Sequence, residues 1–374
     1  MAVDGLIQHE QDVAVRLLRH YRKHARTLPW RSPPGTPAQS HDPSWPYRVW
    51  LSEIMLQQTT VAAVIPYFEK FTRRWPTVEA LANVDEAELM AAWAGLGYYA
   101  RARNLLACAR TVARDHGGRF PETEEGLRAL PGVGAYTAAA IAAIAFGKRA
   151  VVVDGNVERV VSRLFAIEAP LPGAKPVLRD LAGGIIPDEH PGDFAQAMMD
   201  LGATICTPRN PACGICPLME DCAARRQGDP ARFPVKAAKK ARPERKGTAW
   251  WIEAEGQVWL VRRPDKGLLG GMRALPTGDW REGERNDTPP LPGRWQSMGT
   301  VRHVFTHFAL ELSVEALILP VKPEAALLAS AVGDGQYWPI DQIEQAGLPT
   351  LFARAASLAV ASETGALMET GSAA

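Results

Sequence analysis

Four of the five cysteines fall in one short stretch, Cys206, Cys213, Cys216 and Cys222, separated by six, two and five residues. Thiols this dense point either to disulfides or to a metal. Disulfides need an oxidising compartment. The opening MAVDGLIQHEQDVAVRLLRHYRK carries charges throughout and no apolar run of signal-peptide length, so export is not expected and a metal site is the better reading. Zinc ligands usually pair as two short hooks, whereas this set has one C-x-x-C-like hook with two outlying thiols. Four thiolates can equally hold a 4Fe–4S cluster, and spacing alone leaves zinc and cluster both open. Cys108, the fifth, occupies an apolar position of the helix-like RARNLLACARTVARD and reads as a buried free thiol.

The elements that must position such a site come in two kinds. A chain of 374 residues, 47% hydrophobic and 22% charged, is expected to form two soluble globular domains. No apolar run reaches the roughly eighteen residues that a membrane helix needs. A net charge of +1 gives no support to a nucleic-acid partner, so any such reading rests on local features. Through residue 225 the pattern is helical, as in DVAVRLLRHYRKHAR and TVAAVIPYFEKFTRRW, with breaks at Pro29, Pro76, Pro121 and Pro131. RSPPGTPAQSHDPSWP, residues 32–46 with its flanks, reads as an exposed loop. Residues 226–246 are basic and proline-punctuated and read as a linker. From 247 to 360 the alternation and β-formers of TAWWIEAEGQVWLVRRP and VRHVFTHFALELSVEALILP predict an α+β domain, and 361–374 a disordered tail.

LPGVGAYTAAAIAAIAFG, residues 130–147, reads as a tight hairpin followed by an alanine-rich, closely packing helix. Gly132, Val133 and Gly134 would let backbone N–H groups approach a DNA phosphate without a charged side chain. Alone, such a turn is no more than a helix–helix corner.

It is followed by VVVDGNVERVVSRLF, and the combination resembles the helix-hairpin-helix DNA glycosylase superfamily, within it the adenine DNA glycosylases of the MutY family. The resemblance runs through LPWR (28–31), LSEIMLQQT (51–59), WAGLGYYARARNL (93–105), VDGNVERV (153–160), the cysteine stretch, RRPDKGLLGGM (262–272) and VFTHF (304–308). It implies one 4Fe–4S cluster on the four cysteines, a mainly α glycosylase domain and a C-terminal Nudix-like domain. It also implies a monomeric, cytoplasmic enzyme acting on double-stranded DNA that holds adenine opposite 8-oxoguanine or guanine.

Releasing adenine leaves an oxocarbenium-like sugar and a poor leaving group, the problem that glycoside hydrolases meet with two carboxyl groups. By the resemblance Glu53 is the acid and Asp154 the carboxylate facing the cation, with Asn156 and Tyr136 beside them. Trp50, Leu51, Ile54 and Leu56 would desolvate Glu53 and raise its pKa. Where the endonuclease III branch has a lysine nucleophile, this chain has Tyr136, which cannot form a Schiff base. A monofunctional glycosylase is therefore expected, with Lys148 an ordinary surface lysine. The resemblance makes Gln58 and Tyr98 a wedge into the base stack, with Gln57 and Thr59 adjoining, and places Trp30, Arg31 and Gln196 in the adenine pocket. Arg101 and Arg103 are candidate phosphate contacts, as is Arg209 of the cysteine loop.

In the C-terminal domain RALPTGDWREGERND has no clustered glutamates of the REx2EE kind, so it is expected to bind and not to hydrolyse. Phe305, Thr306 and His307 stand where the family reads 8-oxoguanine, with threonine replacing the usual serine. Arg273 replaces the tryptophan that usually follows Gly-Met. Two other functions share parts of this pattern: a bifunctional glycosylase/lyase, which needs lysine at 136, and a non-catalytic iron–sulfur DNA-binding protein, which needs no paired carboxylates.

Overall fold

The computed structural model describes residues 2–37, 42, 44–237, 242–264, 267–284, 287–305 and 307–370. Its contacts divide the chain into two units, Met1–Ala238 and Lys239–Ala374.

The first unit is helical: α1 (Ala2–His24), α2 (Trp45–Leu56), α3 (Val61–Arg74), α4 (Val78–Ala82), α5 (Glu86–Trp93) and α6 (Ala100–Asp115). There follow α7 (Glu124–Arg128), α8 (Ala135–Phe146), α9 (Gly155–Leu164), α10 (Lys175–Gly184), α11 (Pro191–Thr204) and α12 (Ala223–Arg226). Side-chain caps set the starts of the short helices. Thr77 accepts from Ala80 N, Asp85 from Ala87 N and Thr123 from Gly126 N, which satisfies N–H groups that a helix start leaves open. Gly147, at φ 64°, ends α8 in the left-handed conformation.

α8 is the axis of this unit. Its sequence AYTAAAIAAIAF is buried on nearly every face, and its small side chains let α2, α7 and α11 pack close around it. A Cβ on Gly192 of α11 would lie 2.5 Å from the Ala143 carbonyl oxygen of α8, so glycine is required there. Gly202 lets α11 approach α9 in the same way, its absent Cβ standing 2.6 Å from Asn156 Cβ.

The second unit is a mixed sheet: β1 (Glu244–Ala254), β2 (Gln257–Arg262), β3 (Arg273–Ala274), β4 (Arg281–Glu282), β5 (Gln296–Val304), β6 (Ala309–Leu319) and β7 (Gly335–Pro339). The order is β3-β2-β1-β6-β5, with β4 beside β1 and β7 beside β2. β1 and β6 run parallel from Glu244 opposite Ala309 to Ala254 opposite Leu319; the other pairs are antiparallel. From Gly247 to Ile252 β1 is buried on both faces, where GTAWWI follows the charged Glu244, Arg245 and Lys246. α13 (Ala325–Val332) and α14 (Thr350–Thr370) complete the unit. α14 lays Leu351, Phe352, Ala355, Ala356 and Ala359 against β1, β5 and β6.

The expected class, a helical domain plus an α+β domain, is the observed one, but two segments differ from their reading. The first half of the 226–246 linker belongs to the helical unit. Phe233 is buried there, and Leu171 exchanges backbone hydrogen bonds with Val235 and Ala237. Two apolar residues hidden in a basic, proline-rich stretch anchor it. At the other end β1 already begins at Glu244. α14 also runs to Thr370, into the segment expected to be disordered, where Ala366, Leu367, Met368 and Glu369 all favour helix.

Gly192→Ala is expected to destabilise the helical unit by about 1–3 kcal/mol, because the added methyl has no room. Thermal denaturation of the full chain reads this, and an unchanged melting curve contradicts the close α8–α11 approach.

Candidate active site and cluster site

Three helices bring two carboxyl groups to one pocket. α2 carries Glu53, α8 carries Tyr136 in its first turn, and Asp154 is the N-cap of α9. The pocket holds about 560 Å³. Asn156, Trp30, Arg31, Gln196, Gln58 and Thr59 also line it. Sequence reasoning thus named most of its wall, from five separate parts of the chain.

Glu53 is 6% exposed, with Trp50, Leu51 and Ile54 buried around it. Burial pushes its carboxyl up to about 7, helped by the charge of Asp154 and opposed by the hydrogen bond from Tyr136 and by the Arg31 guanidinium. Asp154 is held differently. One of its oxygens accepts from Asn156 N at 2.9 Å and Val157 N at 2.7 Å, and the other from Asn156 Nδ2 at 3.0 Å. It therefore meets the N-terminal end of α9, where a negative charge is favoured. Burial first, then the two carboxyl groups, raise the Tyr136 phenol well above its ordinary value. It stays protonated and can only donate to them.

One residue that sequence reasoning missed fixes Arg31. Asp200 of α11 accepts from Arg31 Nη1 at 2.7 Å and from Arg26 Nε at 2.6 Å. A buried aspartate inside FAQAMMDLGAT was the available signal. Gln196 donates to the Gly192 carbonyl at 3.3 Å, and Trp30 packs edge-on against Phe68 at 5.3 Å. Among the described residues no lysine lines the pocket. Lys148 pairs with Glu122 at 3.1 Å beyond the far end of α8, whereas Tyr136 is in its first turn.

From Asp154 a hydrogen-bond chain leads to the cysteines. Arg159 Nη2 donates to Asn156 Oδ1 at 2.8 Å and to the Gly202 carbonyl at 2.6 Å, while its Nε donates to the Cys206 carbonyl at 2.8 Å. Cys206, Cys213, Cys216 and Cys222 surround one small apolar hollow with Arg163. Burial pushes the Cys216 thiol up to about 11, and the neighbouring thiols push it the same way. No three Cys, His, Asp or Glu side chains among the described residues lie close enough to share a single metal ion.

Arg163 shows what charge the hollow expects. It is 1% exposed, and its partners are the Phe233, Cys206, Thr207 and Pro208 carbonyls and Cys206 Sγ at 3.3 Å. Among the described residues no carboxylate pairs with this buried guanidinium, so its charge favours an anion nearby. Four thiolates on an iron–sulfur core supply one, so the residues fit the cluster. When bound, it crosslinks this loop and balances Arg163.

Residues 51–185 match the HhH-GPD superfamily of base excision DNA repair proteins, 206–222 the iron–sulfur binding domain of endonuclease III, and 247–358 the NUDIX domain. The chain is 37% identical over 385 residues to the adenine DNA glycosylase of Mus musculus, covering 86% of this chain and 72% of that one. It is 44% identical over 217 residues to the adenine DNA glycosylase of Mycobacterium tuberculosis, covering 57% of this chain and 68% of that one. The chain belongs to the adenine DNA glycosylase family. It is a base-excision repair enzyme that binds DNA and carries one 4Fe–4S cluster. Its helical unit is similar to a solved thermostable thymine-DNA glycosylase, at 31% identity and a TM-score of 0.52, covering 59% of this chain and 98% of that one.

In this glycosylase the remaining sequence-derived candidates fall in three places. Gln58 and Tyr98 are both left-handed, at φ 60° and 50°, and the Tyr98 side chain is 62% exposed. Gly132 and Gly134 are exposed at the uncapped start of α8, with Val133 buried beneath them. Gly132, at φ 72°, also rests against Asn104, where a Cβ would stand 2.6 Å from the asparagine Cβ. In the second unit Phe305 N donates to the Phe308 carbonyl at 2.9 Å, which makes a tight turn with His307 exposed. Thr306 lies outside the described residues. Phe305 stacks on Trp280 at 5.7 Å, a support that sequence reasoning missed. Arg273 is accommodated by stacking on Trp338 at 4.6 Å and donating to the Ala346 carbonyl.

Glu53 must be protonated to act as an acid, so the single-turnover rate of base release is expected to fall as pH rises through about 7. Tyr136→Phe removes a hydrogen bond that favours the ionised carboxyl, which moves this limb to higher pH; a limb that stays in place contradicts the assignment. Stripping the cluster leaves Arg163 uncompensated, and is expected to lower the melting temperature of the full chain and expose 205–233 to protease.

Proposed function

We propose that this glycosylase hydrolyses adenine from pairs with 8-oxoguanine or guanine in duplex DNA and leaves an uncut abasic site. The observation that carries the reading is a pocket with a buried protonatable carboxyl, a second carboxyl on a helix N-terminus and, among the described residues, no lysine in its wall.

The adenine must leave the stack, at a cost of roughly a few kcal/mol, to reach Glu53. Glu53 delivers its proton to N7, and the purine departs as a neutral base. Asp154 faces the sugar as positive charge develops, with its unused electron density turned toward the cation by the α9 N–H groups. Asn156 holds that orientation, and water adds to the sugar on the side Asp154 guards, giving its proton to the Asp154 carboxylate. Tyr136 donates to Glu53 and favours its carboxylate once the proton has left. Trp30, Arg31 and Gln196 shape the space for the purine, Arg31 being held by Asp200. Gln58 and Tyr98 fill the vacated stack, and the Gly132–Gly134 turn holds a phosphate with its backbone. Thr306 and His307 read the base opposite the adenine, and the enzyme acts as a monomer in the cytoplasm.

A labelled duplex with one adenine opposite 8-oxoguanine tests this directly. Strand breakage is expected only after alkali; breakage without alkali means a lyase, and no base release at all means a binding protein. His307→Ala is expected to reduce the preference for 8-oxoguanine over guanine roughly ten-fold, in line with the loss of one base contact, while base release itself persists. Equal preference before and after the change places the opposite-base contact elsewhere.

A further inference from the structure

Arg101 was expected to meet a phosphate, but its hydrogen-bonding groups are turned into the protein. Nη1 donates to the Ile54 and Met55 carbonyls, at 3.1 and 3.0 Å, in the last turn of α2. Nη2 donates to Thr59 Oγ1 at 3.1 Å and to the Leu96 and Gly97 carbonyls at 3.1 and 3.4 Å. The guanidinium carbon lies 5.4 Å from the Tyr98 ring and 5.5 Å from the Trp93 ring. One planar fork thus touches the chain on both sides of Gln58 and the two residues directly before Tyr98. Its charge meets the carbonyl end of α2, where a cation is favoured.

We propose that Arg101 is the positioning residue of base extrusion, locking the Gln58 turn and the Tyr98 turn into one rigid two-pronged wedge. The proposal rests on the reading of Gln58 and Tyr98 as the residues that enter the base stack. Both hold left-handed backbone conformations, which non-glycine residues keep only when their surroundings enforce them. A wedge on a hinge would yield when pushed into stacked bases, whereas prongs tied to each other and to the end of α2 transmit the load. α2 also carries Glu53 one turn upstream, so the device that opens the stack and the acid that meets the base stand on one element. Lysine cannot reproduce this role, because a single ammonium does not span the same acceptors in a plane.

The test uses the cluster-loaded full chain with Arg101→Gln and Arg101→Lys, and a duplex carrying 2-aminopurine beside the target adenine. Both variants are expected to slow the fluorescence rise that reports unstacking, and base release with it, by about 10–100-fold, the scale of a misplaced reacting geometry. The pH at which base release falls off is expected to stay that of the parent, because the groups that set the Glu53 carboxyl are its burial, Tyr136, Asp154 and Arg31 and not Arg101. The salt dependence of DNA affinity is also expected to keep its slope. A shifted pH limb would mean that Arg101 merely supports Glu53, and a slope reduced by about 0.9 would mean that it binds a phosphate; either overturns the proposal, as does a parental fluorescence rise. Gln58→Ala and Tyr98→Ala separate the two layers. If both keep the parental rise, the wedge reading fails and the proposal with it; if both lose it and Arg101→Gln does not, the wedge stands and the clamp alone is wrong.

Discussion

Two carboxyl groups that share one pocket are a conflict the fold has to hold in place. Glu53 is deprived of water by the apolar face of α2, and its carboxyl is pushed up to about 7. Asp154, in the same pocket, receives two backbone N–H groups and an amide. The difference comes from position: one carboxyl is in the middle of a buried helix, the other caps the start of one. Without close helix packing the first would be hydrated and would become an ordinary acid. The alanines of α8 and the missing side chains of Gly192 and Gly202 are what bring α2, α9 and α11 near enough.

The cluster loop belongs to the same arrangement. α9 is capped by Asp154 at its start and ends beside the cysteines, so Arg159 and Arg163, one helical turn apart, tie the Asp154 end to the loop. Arg159 touches Asn156 and Cys206 O together. Arg163, with carbonyls and a sulfur as partners, is stable in the interior only opposite a negative group. The cluster and the helix that orients Asp154 therefore depend on each other structurally.

Much of this was legible in the sequence because the chemistry sits in short, residue-specific strings. Through the resemblance to the glycosylases, the four cysteines, LSEIMLQQT and LPGVGAY pointed to the cluster, a candidate acid and the hairpin. What could not be read is how charges are satisfied through space. Arg101 looks like a surface cation in YYARARNL, yet its fork binds carbonyls of α2 and of the 96–97 turn. Asp200 looks like one more polar residue on a helix, yet two arginines converge on it. The proline-rich stretch after the cysteines hid Phe233, whose burial attaches it to the helical unit. In each case the deciding partner is distant in the chain or is a backbone atom, and neither leaves a mark in a local pattern.

The central claim is that burial keeps the Glu53 carboxyl protonated near neutral pH. Carbon-13 NMR of the full chain, with glutamate carboxyls labelled and Glu53→Gln used to assign the resonance, measures this without reference to catalysis. The account predicts a carboxyl that titrates near 7, well above the other glutamates. A Glu53 resonance that titrates with ordinary solvated glutamates, about 4.3, would contradict it.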